Sequence, residues 1–191
     1  MGSVGKATSG VGAKGSAAES LRTELSKGEN RIRYDHLETA IVYDKDGNVI
    51  LDKTDGMPDA VYFTDEQSAK FKDTIFTHNH PSGSTFSAAD LNLAVMKGVR
   101  EMRACHADGA YVLTRNYEIG DPIPVTYLEL AQDYKNAYNS YRTNVVDPIY
   151  YASAQDLYTA DKCNRMIAEY RKNWLKEHAK EYGWTYKEEH K

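Results

Sequence analysis

Two cysteines, Cys105 and Cys163, are too few for a disulfide framework and too far apart for a paired-cysteine metal knuckle. Their scarcity suits a reducing, cytoplasmic compartment, with a single bridge between them left open. The chain holds no apolar run near the ~20 residues that a bilayer-spanning helix requires, and its start lacks the apolar centre of a secretory signal. A cationic excess is missing as well. The net charge of −4 gives no general attraction to phosphate backbones, so nucleic acid is disfavoured as a partner, and no membrane partner is expected. Large apolar residues are sparse at the start, where residues 1–20 are rich in Gly, Ser, Ala and Lys. Such a composition buries too little apolar surface to offset its ordering entropy. Residues 1–30 therefore read as a flexible tail or linker. A domain released from a larger phage, toxin or effector polypeptide would carry such a segment, and so would a cloning remnant.

What is present is enough for one domain with a sizeable core and an extension. Residues 37–43 and 48–51 are apolar segments joined by Asp44-Lys45-Asp46-Gly47, a hairpin turn signal. Residues 60–63 predict a short strand, 64–71 a short helix, and 74–80 a strand on β-branched and aromatic content. Leu91, Val95, Val99 and Met102 recur at helical spacing and predict an amphipathic helix over 87–103. Residues 102–106 and 110–115 then flank the turn Asp108-Gly109. The expectation is an α/β (α+β) core over 31–122, a mixed β-sheet flanked by helices. Beyond Pro122 the character changes, and 10 of the 15 tyrosines follow Pro124. Val125, Leu128, Ala131, Tyr134, Tyr138 and Tyr141 form a stripe on one helix ending before Pro148. A second helix is expected over 153–182, capped by Ser153 and stopped near Gly183. Residues 123–191 thus read as a helical extension packing on the core.

The chemistry is concentrated in the stretch His78-Asn79-His80-Pro81-Ser82-Gly83, followed by Ser87 and Asp90. On a strand, His78 and His80 point to one face, so two ring nitrogens converge. Ser87-Ala88-Ala89-Asp90 reads as a helix start, with Ser87 as cap and Asp90 on the first turn, able to face the histidines. Two nitrogens and a carboxylate oxygen suit Zn²⁺ and leave a fourth tetrahedral position open, the arrangement of a catalytic site.

This pattern resembles the JAMM motif of the JAB/MPN metalloprotease family, in particular its RadC-like branch. Six residues separate His80 from Ser87, where the family usually has seven. The resemblance covers roughly residues 34–117 and implies a JAB/MPN core of cytidine-deaminase-like type. It implies a zinc-dependent hydrolase of peptide or isopeptide bonds, with His78, His80 and Asp90 as metal ligands and Ser87 as oxyanion donor. It also requires an upstream glutamate as general base and acid. Glu38, opening Glu38-Thr39-Ala40-Ile41-Val42-Tyr43, is the match, ahead of Glu66 in a polar helix start and Glu29 in a polar segment. The implied partners are protein or peptide substrates, ubiquitin-like conjugates among them. Two further classes stay open: a non-catalytic protein-binding module on the same fold, and, less favoured by the negative charge, a metal-dependent nuclease.

Other signals fail. The letters His-Asn-His do not make an HNH nuclease, whose residues are dispersed over a ββα unit. Gly5 to Gly10 is followed by Val11 where a phosphate loop needs Lys. Asp44-Lys45-Asp46-Gly47-Asn48 brings its Gly too early for a calcium loop. Cys105 and His106 are neighbours on a strand and face opposite ways, so a buried thiol beside an exposed ring is expected.

Overall fold

Side-chain alternation sorts the middle of the chain onto two faces of one sheet. The strands are β1 (Ala40–Tyr43), β2 (Val49–Lys53), β3 (Ile75–Asn79), β4 (Glu101–His106), β5 (Gly109–Arg115) and β6 (Trp184–His190). Their order across the sheet is β2-β1-β3-β4-β5-β6. The computed structural model describes residues 11–153 and 156–191, with side chains from residue 18 onward. β3 and β4 are parallel, and every other neighbouring pair is antiparallel. A parallel pair needs a crossover. It is supplied by the helix Ala88–Lys97, which ends on Gly98 in the left-handed conformation at φ 65°.

Ala40, Val42, Phe76, Met102, Ala104, Tyr111 and Leu113 turn to the face covered by that helix and form the larger core. Ile41, Tyr43, Ile75, Cys105, Ala110 and Val112 turn the other way and form a second apolar cluster. A helix over Val11–Ile32 covers it, so we number this helix α1. In chain order the remaining helices are α2 (Asp65–Ser68), α3 (Ala88–Lys97), α4 (Leu130–Tyr141), α5 (Asp147–Ala152) and α6 (Leu157–His178).

α1 corrects the reading of residues 11–30 as a flexible tail; residues 1–10 lie outside the described residues. Leu21, Leu25 and Ile32 repeat at helical spacing and meet the second cluster. Gly28 leaves room for the sheet: a Cβ there would sit 1.9 Å from the Tyr43 hydroxyl. The stripe is narrow and set among charged residues, so it reads as apolar only against the sheet face that needs covering.

Other expectations change too. Residues 60–63 form no strand; Met57 and Ala60 share a single bridge. The segment instead delivers Phe63 edge-on to Phe71 and Phe76, with ring centroids 5.0 and 5.5 Å away. The helix read over 87–103 stops at Gly98, freeing residues 101–106 for β4. The tyrosine helix ends at Tyr141, before Pro148, as expected. The chain then passes through a wide π-helical turn, Arg142–Val146, into α5, with Pro148 in its first turn. Asp156, not Ser153, caps α6, accepting from the Thr159 N–H at 2.8 Å. The extension also ends in β6, which pairs with β5 and buries Trp184 completely. Both thiols are free and buried, so Cys105 and Cys163 form no bridge. Among the described residues, no helix is long and apolar enough to cross a membrane.

Candidate metal centre

The sheet brings the site together at the C-terminal end of β3. His78 is on the strand, opposite Ala40 of β1, and its side chain joins the α3 face. His80 follows the strand, held by its backbone N–H donating to the Cys105 carbonyl at 2.9 Å. The two Nε2 atoms stand 2.8 Å apart. Asp90 closes the group, with Oδ1 3.4 Å from His78 Nε2 and Oδ2 3.5 Å from His80 Nε2. Among the described residues this is the one cluster of three His, Cys, Asp or Glu whose donor atoms all lie within 4.8 Å of one another.

The local chain explains each placement. Ser87 caps α3: its hydroxyl accepts from the Asp90 N–H at 3.1 Å, while Asp90 Oδ2 accepts from the Ser87 N–H at 2.6 Å. This reciprocal capping box aims the Asp90 carboxylate. His80 Nδ1 lies 2.7 Å from the Ser84 carbonyl. A carbonyl can only accept, so Nδ1 carries a proton, and Nε2 is the atom turned to the cluster. His78 Nδ1 is buried without a hydrogen-bond partner among the described residues.

Glu38 arrives from the opposite side, its Oε1 3.8 Å from His80 Nε2. Its backbone N–H donates to the Met57 carbonyl at 2.8 Å. Asn79, facing away from the histidines and fully buried, accepts from the Thr39 N–H at 2.6 Å and donates to the carbonyls of Asp35 and Leu37 at 3.0 and 3.1 Å. It thereby pins the segment that carries Glu38. Sequence reasoning passed over Asn79; the available signal was an amide set between two convergent histidines.

Electrostatics follow from burial and proximity. Burial pushes the Glu38 carboxyl up, outweighing the two imidazoles that pull it down. Burial also acts to raise Asp90, but the charges and hydrogen bonds of His78 and His80 hold it well below the usual carboxylate range. For His80, burial opposes the charged ring, yet the Asp90 hydrogen bond, the Ser84 carbonyl and Glu38 raise it.

The three donors could hold a metal ion. Metal–nitrogen lengths of ~2.0–2.1 Å in a tetrahedron put ligand atoms roughly 3.3 Å apart, close to the two His–Asp separations. His78 and His80 are buried, and Asp90 keeps partial exposure. The two Nε2 atoms, 2.8 Å apart, stand at N–H···N hydrogen-bond distance, closer than that tetrahedral spacing.

The other candidates fall elsewhere. Glu29 is on α1, on the far side of the sheet, where its Oε1 meets Arg103 Nε at 2.5 Å and Thr77 Oγ1 at 3.2 Å. Glu66 is exposed in the first turn of α2. Cys105 is buried, its thiol pushed up to about 12, while the His106 ring is partly exposed and stacks on Tyr111 at 4.6 Å. Compared with known families, curated proteins and solved structures, the chain matches none.

Proposed function

We propose that this protein is a zinc-dependent hydrolase of the JAMM type that cleaves a peptide or isopeptide bond. The convergence of His78, His80 and Asp90 beside the carboxylate of Glu38 carries this reading. Zinc held there would supply hydroxide at neutral pH, by lowering the pKa of a water from ~15.7 to about 7. His78 and His80 turn their Nε2 atoms to the cluster, and the capping box keeps the Asp90 carboxylate in register with them. Glu38 takes the attacking water's proton and delivers it to the departing amine. Its burial suits that second role, because a raised carboxyl holds the proton until the amine needs it. Ser87 can cap α3 and serve an oxyanion at once, since the cap uses a hydroxyl lone pair and leaves the O–H free to donate. The resemblance to the JAMM motif supplies the bond class and the expected substrates, protein or peptide linkages including ubiquitin-like conjugates.

Elemental mass spectrometry of the purified chain tests the reading first. About one zinc per chain is expected, lost in His78→Ala/His80→Ala. Quenched peptides and isopeptide-linked conjugates then screen turnover, with Glu38→Gln as control. That variant should keep its zinc and lose about 10²–10⁴ in rate, the usual worth of a positioned general base. A protein that stays metal-free after zinc addition ends the hydrolase reading. Zinc without turnover of any peptide or isopeptide would favour a binding module instead.

A further inference from the structure

Residues 81–86, which join His80 to α3, contain no helix or strand, yet four successive carbonyls there each receive a donor. Gly83 O accepts from the Tyr111 hydroxyl at 3.1 Å, and Ser84 O from His80 Nδ1 at 2.7 Å. Thr85 O accepts from Arg171 Nη2 at 3.3 Å. Phe86 O accepts both Arg171 Nη2 at 2.5 Å and the Tyr134 hydroxyl at 2.8 Å. Arg171 Nε in turn donates to Tyr134 Oη at 2.6 Å, so a directed chain runs from guanidinium to phenol to carbonyl. Phe86 is the residue before Ser87, whose N–H aims the Asp90 carboxylate. The far end of the chain thus holds the backbone that sets the third ligand.

The chemistry of Arg171 is unusual for a purely structural arginine. Among the described residues it has no carboxylate partner. Its guanidinium lies over the rings of Tyr134 and Tyr138, each 5.7 Å away, and faces backbone carbonyls. A planar fork of donors can hold two adjacent carbonyls in fixed relation, which a point-charged lysine cannot do. Tyr134 is itself fixed: it is buried and meets Trp174 edge-on at 5.3 Å.

We propose that Arg171 and Tyr134 are positioning residues of the metal centre, which from α6 and α4 fix the 83–86 backbone and so set Asp90 against His78 and His80. This rests on the reading of those three residues as metal ligands.

The test loads the full chain with Co²⁺, whose visible spectrum reports ligand geometry, and titrates affinity for wild type, Arg171→Ala and Tyr134→Phe. Cys163→Ala serves as comparator, because Cys163 is buried on the same helix about two turns before Arg171. Affinity weaker by up to about ten-fold is expected for Arg171→Ala, the lower end of the cost of losing a ligand's own outer partner, because Arg171 acts on Asp90 through the Phe86 carbonyl and the Ser87 N–H. Its visible band should also be altered. Tyr134→Phe should move the same way by less, and Cys163→Ala should match wild type. Folded Arg171→Ala and Tyr134→Phe with wild-type affinity and spectrum would overturn the positioning role and leave the metal site standing. Should Arg171→Ala not fold, Tyr134→Phe decides alone. Wild type that takes up neither Co²⁺ nor Zn²⁺ would remove the metal site itself, and the positioning role with it.

Discussion

Asn79 points away from the two histidines that flank it, and its three hydrogen bonds all go to residues 35–39. Its effect on the site is therefore transmitted through Glu38. Asn79→Ala should leave zinc content near one per chain, because neither imidazole loses a partner. Under the proposed function, turnover should fall about 10²-fold, as expected for a misplacement near 1 Å of the group proposed to move the proton. Stability should also fall by roughly 1–3 kcal/mol, since the buried Thr39 N–H loses its acceptor. Elemental analysis, an initial-rate assay and a urea melt separate the three effects. Loss of zinc in this variant would show that Asn79 supports the ligands and not Glu38.

At the scale of elements, α1 is where the sequence misled most. Its first residues have the composition of a linker, and among its described side chains the apolar stripe is Leu21, Leu25 and Ile32. The helix is fixed by what it meets: Tyr43 donates to the Glu24 carbonyl at 3.3 Å, Glu29 pairs with Arg103, and Ile32 is fully buried. Ile32→Ala should therefore destabilise the protein by about 2–5 kcal/mol in a denaturant melt. A tail residue would show no change. The elements on the opposite face were legible because their signals are local. The Asp44–Gly47 turn is closed by Asp44 Oδ1 accepting from the N–H groups of Asp46 and Asn48, at 2.8 and 2.9 Å. The Thr64 cap of α2 and the Ser87 cap of α3 depend only on the next three residues.

For the whole molecule, the C-terminal segment is part of the fold and not an appendage. Tyr134, Leu175, Ala179 and Trp184 lie in the larger core, and β6 completes the sheet beside β5. A chain ending at Pro122 should lose cooperative unfolding and aggregate, because β5 becomes a bare edge and the α3 face loses its cover; a sharp melt for that fragment would contradict this. Alkaline pH probes the same packing. Burial pushes the phenols of Tyr43 and Tyr134 from the ordinary value near 10 up to about 12. Each folded phenol keeps its proton where the unfolded chain has lost it. Their contribution is thus complete below pH ~10 and declines as pH rises toward about 12. The urea midpoint should drop across that window, and less so in Tyr134→Phe. By itself the sequence determined the hairpin turn, the starts of α2 and α3, and the facing of His78, His80 and Asp90, because strand alternation and capping act over a few residues. Only the tertiary structure decided that Glu38 reaches His80 while Glu29 goes to the far face, that α1 covers the sheet, and that Arg171 and Tyr134 hold the loop before Asp90. Those contacts depend on strand order, on the register that sets Ala40 against His78, and on helices that return from the end of the chain. No local periodicity encodes which distant surfaces must meet.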